Sequence, residues 1–535
     1  MARAVHRPHP PPRSRARRDG APRFHRHSGR GALRGAALGG LAGRRVAGRG
    51  ARLPRQCRHV ADAIAPGSRP GRKAGPCGPG SPPPARGQQP VRSAAVAGAA
   101  AALSALPLPP APNRGGAAMA PREVVLNDDG GWCWFQDERA LVHRGALLVG
   151  SVACGSREPA RRGDIELTRY DLATGEIHRT TLHEGLEADD HAAPALLELS
   201  DGRVLATWTR HGSEARLYWR TTEGSDSRRW RPPRAYEPSP STRITYSNLH
   251  RLSEENDRIY CFFRGLDDSY KPSWCFSDDG AASWKRGGIL IDVPGPARHR
   301  PYVKYASDGR GAIHFLFTEA HPRNFDCSLY HAVYRDGSLH RSDGALIRRL
   351  GEGPMIPAEA TRIHTGGPDS VAWCQDLALD SRGRPVAAYS VQVGDGGRPQ
   401  KEHGRDHRYR YARWDGRRWL DSQIGYAGSR LYPGEDDYVG GISLHPDDPS
   451  TVFLSANVNP ASGAPLPGGR WQVFQARTPD GGRTWEFLQL TRDPHRDCLR
   501  PIVPAWQPGR TALLWLRGRC HAYTRYELEV VLQVR

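Results

Sequence analysis

The first 118 residues lack almost everything that a folded core requires. They contain no Trp, no Tyr, a single Phe (Phe24) and only two acidic residues, Asp19 and Asp62, against 22 Arg and Lys. A segment so rich in Arg, Pro, Gly and Ala cannot bury enough apolar surface to offset its chain entropy. We therefore expect residues 1–118 to be disordered.

Acidic residues are scarce only in this segment. Subtracting its net charge of +20 from the whole-chain value of +21 leaves about +1 for residues 119–535. A strongly basic protein usually indicates a nucleic-acid or anionic membrane partner, but here the excess charge belongs to the N-terminal segment. The sequence predicts neither partner for residues 119–535.

Long apolar runs are missing apart from Val91–Pro112, VRSAAVAGAAAALSALPLPPAP. An Arg followed by an Ala and Leu run and then by Pro resembles the end of an export signal. It lies behind some ninety Arg- and Pro-rich residues, and no twin-arginine pair immediately precedes it. We expect a mis-assigned start, with either a signal peptide and secretion, or Met119 as the true beginning and a cytoplasmic protein.

Residues 119–535 also lack paired cysteine spacing and any helical period longer than two turns. Their eight cysteines are scattered, so we expect small buried residues and no disulfide framework. The region contains all 14 Trp and all 18 Tyr, and its short alternating strands are broken by Asp-Gly, Asn or Pro turns. This pattern indicates an all-β domain.

Similar hairpin units recur along this region, each with a polar turn between two apolar strands. They are LLELSDGRVLATW, VKYASDGRGAIHFLF, LALDSRGRPVAAYS and ISLHPDDPSTVFLSA. So many hairpins do not fit one sandwich, and their spacing predicts a propeller of seven four-stranded antiparallel blades. SDDGAASW (277–284) and TPDGGRTW (478–485) look like the structural Asp-box turn of bacterial neuraminidase repeats.

Two of these hairpins place polar side chains at strand ends. His191 precedes the strand LLEL and His211 follows VLATW, so antiparallel pairing should carry both imidazoles to one open end of the sheet. Tyr246 and Arg264 flank the next hairpin in the same way. The sequence thus predicts two imidazoles, a phenol and a guanidinium at one rim of the scaffold.

Four segments carry a resemblance to a known family. NDDGGWCWFQDERALV (127–142), DDHAAP (189–194), YSN with FFRG, and RPYVKYASDGRGAIHFLFTEAHPRN (300–324), in this order, resemble the BNR-repeat polysaccharide lyases, including ulvan and rhamnose-glucuronate lyases. The resemblance implies a seven-bladed propeller in which His191, His211, Tyr246 and Arg264 form the catalytic group. It departs from the family at Ala192, where Asn is expected.

The chemistry of such a lyase explains these residue types. Cleavage at C4 of a uronic acid requires removal of the weakly acidic C5 proton. Arg264 would pair with the uronate carboxylate, and His211 and His191 would act as base and acid. Tyr246 would share the proton transfer or position the sugar, and which histidine is the base stays open. No redox cofactor or nucleotide is needed.

The same segments hold weaker candidates for sugar binding and metal binding. Trp134, Asn248, Arg300 and Tyr302 are candidate substrate contacts. A soft thiolate with two imidazoles suits Zn, and the resemblance implies a structural metal. The candidate ligands are His321, Cys327 and His331.

Two other functions compete with the lyase. A sialidase-like hydrolase would share the Asp boxes but needs an arginine triad and a Tyr nucleophile, and no Arg-Ile-Pro motif stands near the start of the domain. A non-catalytic sugar-binding propeller would have no need of the four polar residues. The sequence favours a monomeric lyase acting on an acidic polysaccharide or oligosaccharide.

Overall fold

The computed structural model describes residues 122–239, 243–266, 270–294, 299–399 and 402–535. All of them belong to one compact unit, Ala111–Arg535. The predictions for residues 1–118, for the export-like stretch 91–112 and for Met119 lie outside the described residues. Within the described ranges, no helix has the length and apolar character to cross a membrane.

Short β-strands joined by tight turns make up this unit, as the alternating sequence pattern predicts. The strands are β1 (Glu123–Asn127), β2 (Ala140–His143), β3 (Ala146–Val152), β4 (Ile165–Asp171), β5 (Ile177–His183), β6 (Ala195–Glu198), β7 (Val204–Trp208), β8 (Leu217–Thr221), β9 (Arg234–Tyr236), β10 (Thr245–Leu252), β11 (Arg258–Arg264), β12 (Pro272–Ser277), β13 (Lys285–Ile289), β14 (Tyr302–Ser307), β15 (Ala312–Thr318), β16 (Leu329–Arg335), β17 (Ser338–His340), β18 (Leu346–Arg349), β19 (Thr361–His364), β20 (Ser370–Leu379), β21 (Pro385–Val393), β22 (His407–Trp414), β23 (Trp419–Gly428), β24 (Ile442–Leu444), β25 (Thr451–Ala456), β26 (Gln472–Arg477), β27 (Glu486–Gln489), β28 (Asp497–Ile502), β29 (Ala512–Ala522) and β30 (Arg525–Val534). Single 3-10 turns occur at Pro159–Arg161, Asp190–Ala192, Ser253–Glu255, Pro357–Glu359 and Pro467–Gly469.

Seven antiparallel sheets, counted over the described ranges, follow one another along the chain as the blades of a propeller. Blades one to six are β2–β5, β6–β9, β10–β13, β14–β19, β20–β23 and β24–β27. Blade seven combines β28, β29 and β30 with β1, which pairs antiparallel with β30. The first strand thus completes the last blade and closes the ring, which confirms the predicted seven-bladed all-β fold.

Blade four departs from the simple four-strand plan. Its third strand, β16, pairs with β19 near Leu329 and with β17 near Val333, so two short strands share the fourth position along its length. β18 adds a further strand beside β17. The hairpin pattern of the sequence did not predict this subdivision, because it depends on how two short segments divide one edge.

The blades pack face against face, so some strands are buried on both sides. Every residue of β3 and β15 is buried. Trp208, Trp373 and Trp515 are among the largest fully buried side chains, and large aromatic rings of this kind dominate core energetics. All eight described cysteines are free and buried, as predicted.

Two turns of similar sequence also have similar hydrogen bonds. Asp279 Oδ1 accepts the backbone N–H of Ser283 at 2.8 Å, and Asp480 Oδ1 accepts that of Thr484 at 2.9 Å. In each turn a carboxylate therefore caps the loop between two strands. Trp284, at the end of the first turn, is buried.

Candidate active site

The second blade brings two histidines together. β6 and β7 pair antiparallel, with Ala195 opposite Thr207. His191 stands in the 3-10 turn before β6, and His211 follows β7. Their rings stack almost parallel, with centroids 3.9 Å apart and planes 8° apart.

One carboxylate holds both rings. Asp189 Oδ1 lies 2.6 Å from Nδ1 of His191, and Oδ2 lies 2.8 Å from Nδ1 of His211. Asp189 also caps the 3-10 turn by accepting the backbone N–H of His191. Because an ionised carboxylate only accepts hydrogen bonds, both Nδ1 atoms must carry hydrogens, which leaves Nε2 of each ring for chemistry.

A second carboxylate approaches only one of the two rings. Asp190 Oδ1 lies 2.8 Å from His191 Nδ1. Its other oxygen pairs with Arg500 of blade seven at 2.5 Å, and both side chains are fully buried. The Asp190 backbone N–H donates to the Tyr523 carbonyl. His191 therefore sits in the more negative position, anchored from the last blade.

These environments push the pKa values of the two histidines apart. Burial opposes a charge on His191, but the carboxylates of Asp189 and Asp190 hold its pKa well above the ordinary value. Burial also raises the pKa of Cys133, so its thiol is neutral at neutral pH and the carboxylates supply the charge. Burial and the charge of His191 lower the pKa of His211 to about 4. The pair thus holds one proton on His191 and leaves His211 neutral.

The third blade supplies the phenol and the guanidinium. Thr245 lies opposite Arg264 in the β10–β11 register, and a bulge follows it. Tyr246, in that bulge, has a φ of +66°, a left-handed conformation that costs a non-glycine residue about 1 kcal/mol or more. The bulge turns its ring toward the histidines, with centroids 5.6 Å from His191 and 6.0 Å from His211.

Arg264 is a buried cation that the protein leaves partly unpaired. Its guanidinium carbon lies 4.7 Å from the ring centroid of Tyr246 and 4.9 Å from that of Tyr302. Its Nε and Nη1 atoms have no hydrogen-bond partner in the described part of the chain. Since a buried charge normally needs a partner, this arrangement suits an anionic ligand.

The predicted sugar contacts take different positions. Tyr302 is buried beside Arg264. Trp134 is also buried and packs edge-on against Trp373, with ring centroids 4.6 Å apart. Asn248 Oδ1 accepts the Asp137 backbone N–H and the Arg139 guanidinium. Asn248 lines the same cavity as Tyr246, Arg264 and Tyr302. Arg300 is exposed, with its guanidinium 5.1 Å from the Tyr270 ring.

The structure does not bring the predicted metal ligands together. His331 lies between His314, 3.0 Å away, and the hydroxyl of Ser342, 2.8 Å away. The Cys327 thiol donates to the Ala320 carbonyl at 3.3 Å. Among the described residues, His321 instead converges with Glu435 and Asp437. The set His321, Cys327 and His331 therefore does not fit one metal ion here.

Several residues of the site had not been assigned from the sequence. Asp189 and Asp190 directly precede His191, so the segment DDH indicated that a carboxylate could orient this imidazole. Phe135 packs edge-on against His191 and Tyr246 at 5.1 and 5.0 Å, and Tyr523 contacts both histidine rings. These two aromatics come from distant parts of the sequence, and only the closed ring places them here.

The fold agrees with the comparisons with known proteins. A profile described as "BNR repeat-containing family member" matches residues 159–426, half of the chain. The chain belongs to the BNR repeat-containing family. No curated protein matches it.

Solved structures of an ulvan lyase share the fold. An ulvan lyase bound to -[GlcA(1-4)Rha3S]- superposes with a TM-score of 0.58 at 13% identity, covering 77% of this chain and 98% of that chain. A second ulvan lyase structure gives the same values. A sialidase from Streptococcus pneumoniae gives a TM-score of 0.39 at 9% identity, covering 78% of this chain and 93% of that one. At these identities the ulvan lyase likeness shows a shared propeller fold.

Proposed function

We propose that the protein is a polysaccharide lyase that cleaves a glucuronate-containing glycan by β-elimination. One observation carries the proposal: a buried, partly unpaired Arg264 stands near two stacked imidazoles that one carboxylate, Asp189, holds. The likeness in fold to an ulvan lyase supports it.

Arg264 binds the uronate carboxylate in this proposal. A guanidinium N–H donates a charge-assisted hydrogen bond to a carboxylate oxygen, and Nε and Nη1, which lie on different edges of the guanidinium, are the atoms left without partners. Pairing stabilises the enolate-like charge that develops on the carboxylate as the C5 proton leaves. Arg264 thus lowers the barrier for a proton that is otherwise only weakly acidic.

The histidines divide the proton transfers between them. Neutral His211, whose side chain is 22% exposed against 2% for His191, takes the C5 proton on Nε2. The C5–H electron pair forms the C4=C5 double bond, and the C4–O4 bond breaks. His191 gives its proton to the departing O4, and Tyr246 positions the sugar ring. The products are an unsaturated uronate and a new chain end, with no change in oxidation state.

The stacking of base and acid bears on which uronate is cut. Rings 3.9 Å apart act on the same side of the sugar, which requires the C5 proton and O4 to lie on one face, a syn elimination. Glucuronate has this configuration, whereas in galacturonate the two groups lie on opposite faces. The geometry therefore favours a glucuronate-type substrate.

The carboxylates of the site argue against a glycoside hydrolase. A hydrolase of the usual kind needs two carboxyl groups free to act on the glycosidic bond. Asp189 is hydrogen-bonded to both histidines, and Asp190 pairs with Arg500 while its other oxygen lies close to His191. Both carboxylates are thus occupied in orienting other groups.

An assay of the full chain on four substrates tests the proposal. They are ulvan, gum arabic, polygalacturonate and a sialoglycan, with ultraviolet absorbance of the unsaturated uronate and new reducing ends measured together. We expect both signals from a glucuronate glycan and neither from polygalacturonate. Reducing ends without absorbance would indicate a hydrolase, and neither signal on any substrate would indicate a binding protein.

A pair of histidine variants links activity to the site. His211→Gln should lower kcat/KM by about 100-fold or more, because a positioned general base typically contributes 10²- to 10⁴-fold. His178→Gln, at an exposed histidine of β5, is the matched control and should leave the rate unchanged. Equal activity of both variants would remove His211 from the mechanism.

A further inference from the structure

The loop between β23 and β24 carries three consecutive acids that are unequally paired. Asp436 contacts the Arg430 guanidinium at 3.1 Å, and Glu435 Oε1 contacts that of Arg323 at 2.6 Å. Glu435 Oε2 and both carboxylate oxygens of Asp437 have no hydrogen-bond partner in the described ranges. Asp437 is only 3% exposed. Unpaired buried carboxylate oxygens are costly, so this position calls for a ligand or a proton.

An imidazole completes the cluster. His321, in the loop after β15, has Nδ1 3.6 Å from Asp437 Oδ2, longer than a hydrogen bond. That nitrogen accepts only the backbone N–H of Arg323, at 3.1 Å. One ligand atom from each of His321, Glu435 and Asp437 lies within 4.8 Å of the other two. Ligand atoms around a shared Zn²⁺ lie roughly 3.3–3.5 Å apart, so the cluster needs little contraction.

We infer that His321, Glu435 and Asp437 form a binding site for a divalent transition-metal ion such as Zn²⁺. Imidazole nitrogens and carboxylate oxygens are both zinc ligands, and the imidazole disfavours Ca²⁺ and Mg²⁺, which prefer oxygen alone. Binding of the ion to Nδ1 of His321 would displace the Arg323 N–H from that nitrogen. The set differs from the His321, Cys327 and His331 trio that the spacing of these residues in the sequence predicted.

The charge balance supports the site. Asp437 stands next to two other carboxylates, Asp436 and Glu435, and its own oxygens have no hydrogen-bond partner in the described ranges. A divalent ion would remove the cost of ionising Asp437 and would offset the second carboxylate. The guanidinium of Arg323 stays on Oε1 of Glu435, on the opposite side of that carboxyl group from the proposed ion.

A metal here would act on the substrate site through packing. The His321 ring lies edge-on against Tyr302, with centroids 5.3 Å apart, and 5.0 Å from Trp373. Tyr302 in turn faces the Arg264 guanidinium. The ion would fix the loop of blade four to the loop before blade six and so hold the wall behind Arg264, as a structural centre.

Metal content of the full chain tests the inference directly. After saturation with Zn²⁺ and dialysis, we expect about one ion per chain, with Tm raised relative to chelator-treated protein, and Co²⁺ should give a visible spectrum. Asp437→Asn and Glu435→Gln should each weaken Zn²⁺ binding at least 10-fold. Cys327→Ser, His331→Gln and the exposed-site control Asp343→Asn should bind as the parent does.

Three results would overturn the inference. Loss of metal in Cys327→Ser or His331→Gln with retention in Asp437→Asn would return the site to the other ligand set. Absence of bound Zn²⁺ and of a Co²⁺ spectrum in the unaltered chain would mean that Asp437 carries a proton instead. An Asp437→Asn variant that keeps one ion would also exclude the site. None of these readouts depends on lyase activity, so they separate this inference from the proposed function.

Discussion

Replacing Asp189 by Asn should uncouple the two histidines while keeping the shape of the site. The carboxylate is bonded to both rings at 2.6 and 2.8 Å, and each hydrogen bond to a charged group contributes about 1.5–3 kcal/mol. Losing one such hydrogen bond should lower the pKa of His191 by about 1–2 units, since one pKa unit is about 1.4 kcal/mol. The neutral amide also imposes no single tautomer on either ring.

The pH dependence of kcat/KM reports this change. In the parent, kcat/KM should rise with pH as His211 loses its proton, at a pKa of about 4, and fall as pH rises through the elevated pKa of His191. Asp189→Asn should shift the upper limb about 1–2 units downward. At neutral pH the rate should fall about 10³- to 10⁴-fold, similar to loss of the orienting Asp in a catalytic triad.

The pH dependence of stability should follow from the pKa shifts of His191 and Asp189. Because the folded pKa of His191 is raised, its stabilising contribution is present below the ordinary histidine pKa and is lost as pH rises through the folded value. The two histidines, against the opposing effect of burial, hold the pKa of Asp189 below its ordinary value. The contribution of Asp189 is therefore present above its ordinary pKa and lost on acidification. Asp189→Asn should therefore lower Tm most in the mildly acidic range between the ordinary pKa values of Asp and His, where both contributions are fully present.

NMR of isotope-labelled histidine distinguishes an altered proton from a damaged fold. Asp201→Asn, at the exposed turn of the same hairpin, is the matched control and should change neither the imidazole titration nor the rate. If Asp189→Asn leaves the His191 titration and the upper limb of the profile unchanged, Asp189 does not hold the proton on His191. If only Tm falls, Asp189 has a purely structural role.

Three further changes test other parts of the site. Arg264→Lys should lower kcat/KM about 100-fold or more on a glucuronate glycan, because an ammonium on a flexible stem does not reproduce the planar, fixed N–H donors of a guanidinium; an unchanged rate would rule out carboxylate pairing. Tyr246→Phe should lower kcat/KM only about 10-fold if His191 is the acid, whereas a loss as severe as that of His211→Gln would assign the acid to Tyr246. Gly265→Ala should lower Tm by several degrees, since Gly265 has a φ of +103° and an added Cβ would collide with the Arg243 carbonyl; a Tm equal to that of Gly288→Ala, at an open position of the same blade, would contradict this.

The hairpins explain how much of the site the sequence predicts. His191 and His211 flank two strands joined by a short polar turn, and antiparallel pairing of these strands places both histidines at the same end of the sheet. The Tyr246 and Arg264 pair follows the same rule with one addition, the bulge after Thr245. Residue types at strand ends therefore predict convergence even where they do not predict roles.

Other features depend on ring closure and were beyond the sequence. Arg500 reaches Asp190 from more than three hundred residues away, and Glu435 and Asp437 meet His321 across two blades. The spacing of His321, Cys327 and His331 suggested a ligand set, but alternation along β16 directs His331 toward His314 and Ser342. Local spacing predicts neighbours within a hairpin and not across the central opening.

The positions that break local rules coincide with the proposed chemistry. A left-handed Tyr246, an unpaired buried Arg264 and unpaired oxygens on Asp437 each cost the folded state stability. The apolar burial of whole strands such as β3 and β15 supplies stability that offsets these costs. Since a sequence selected only for folding would remove them, their clustering around Tyr302 argues that this wall of the propeller binds charged ligands, an anion at Arg264 and a cation at Asp437.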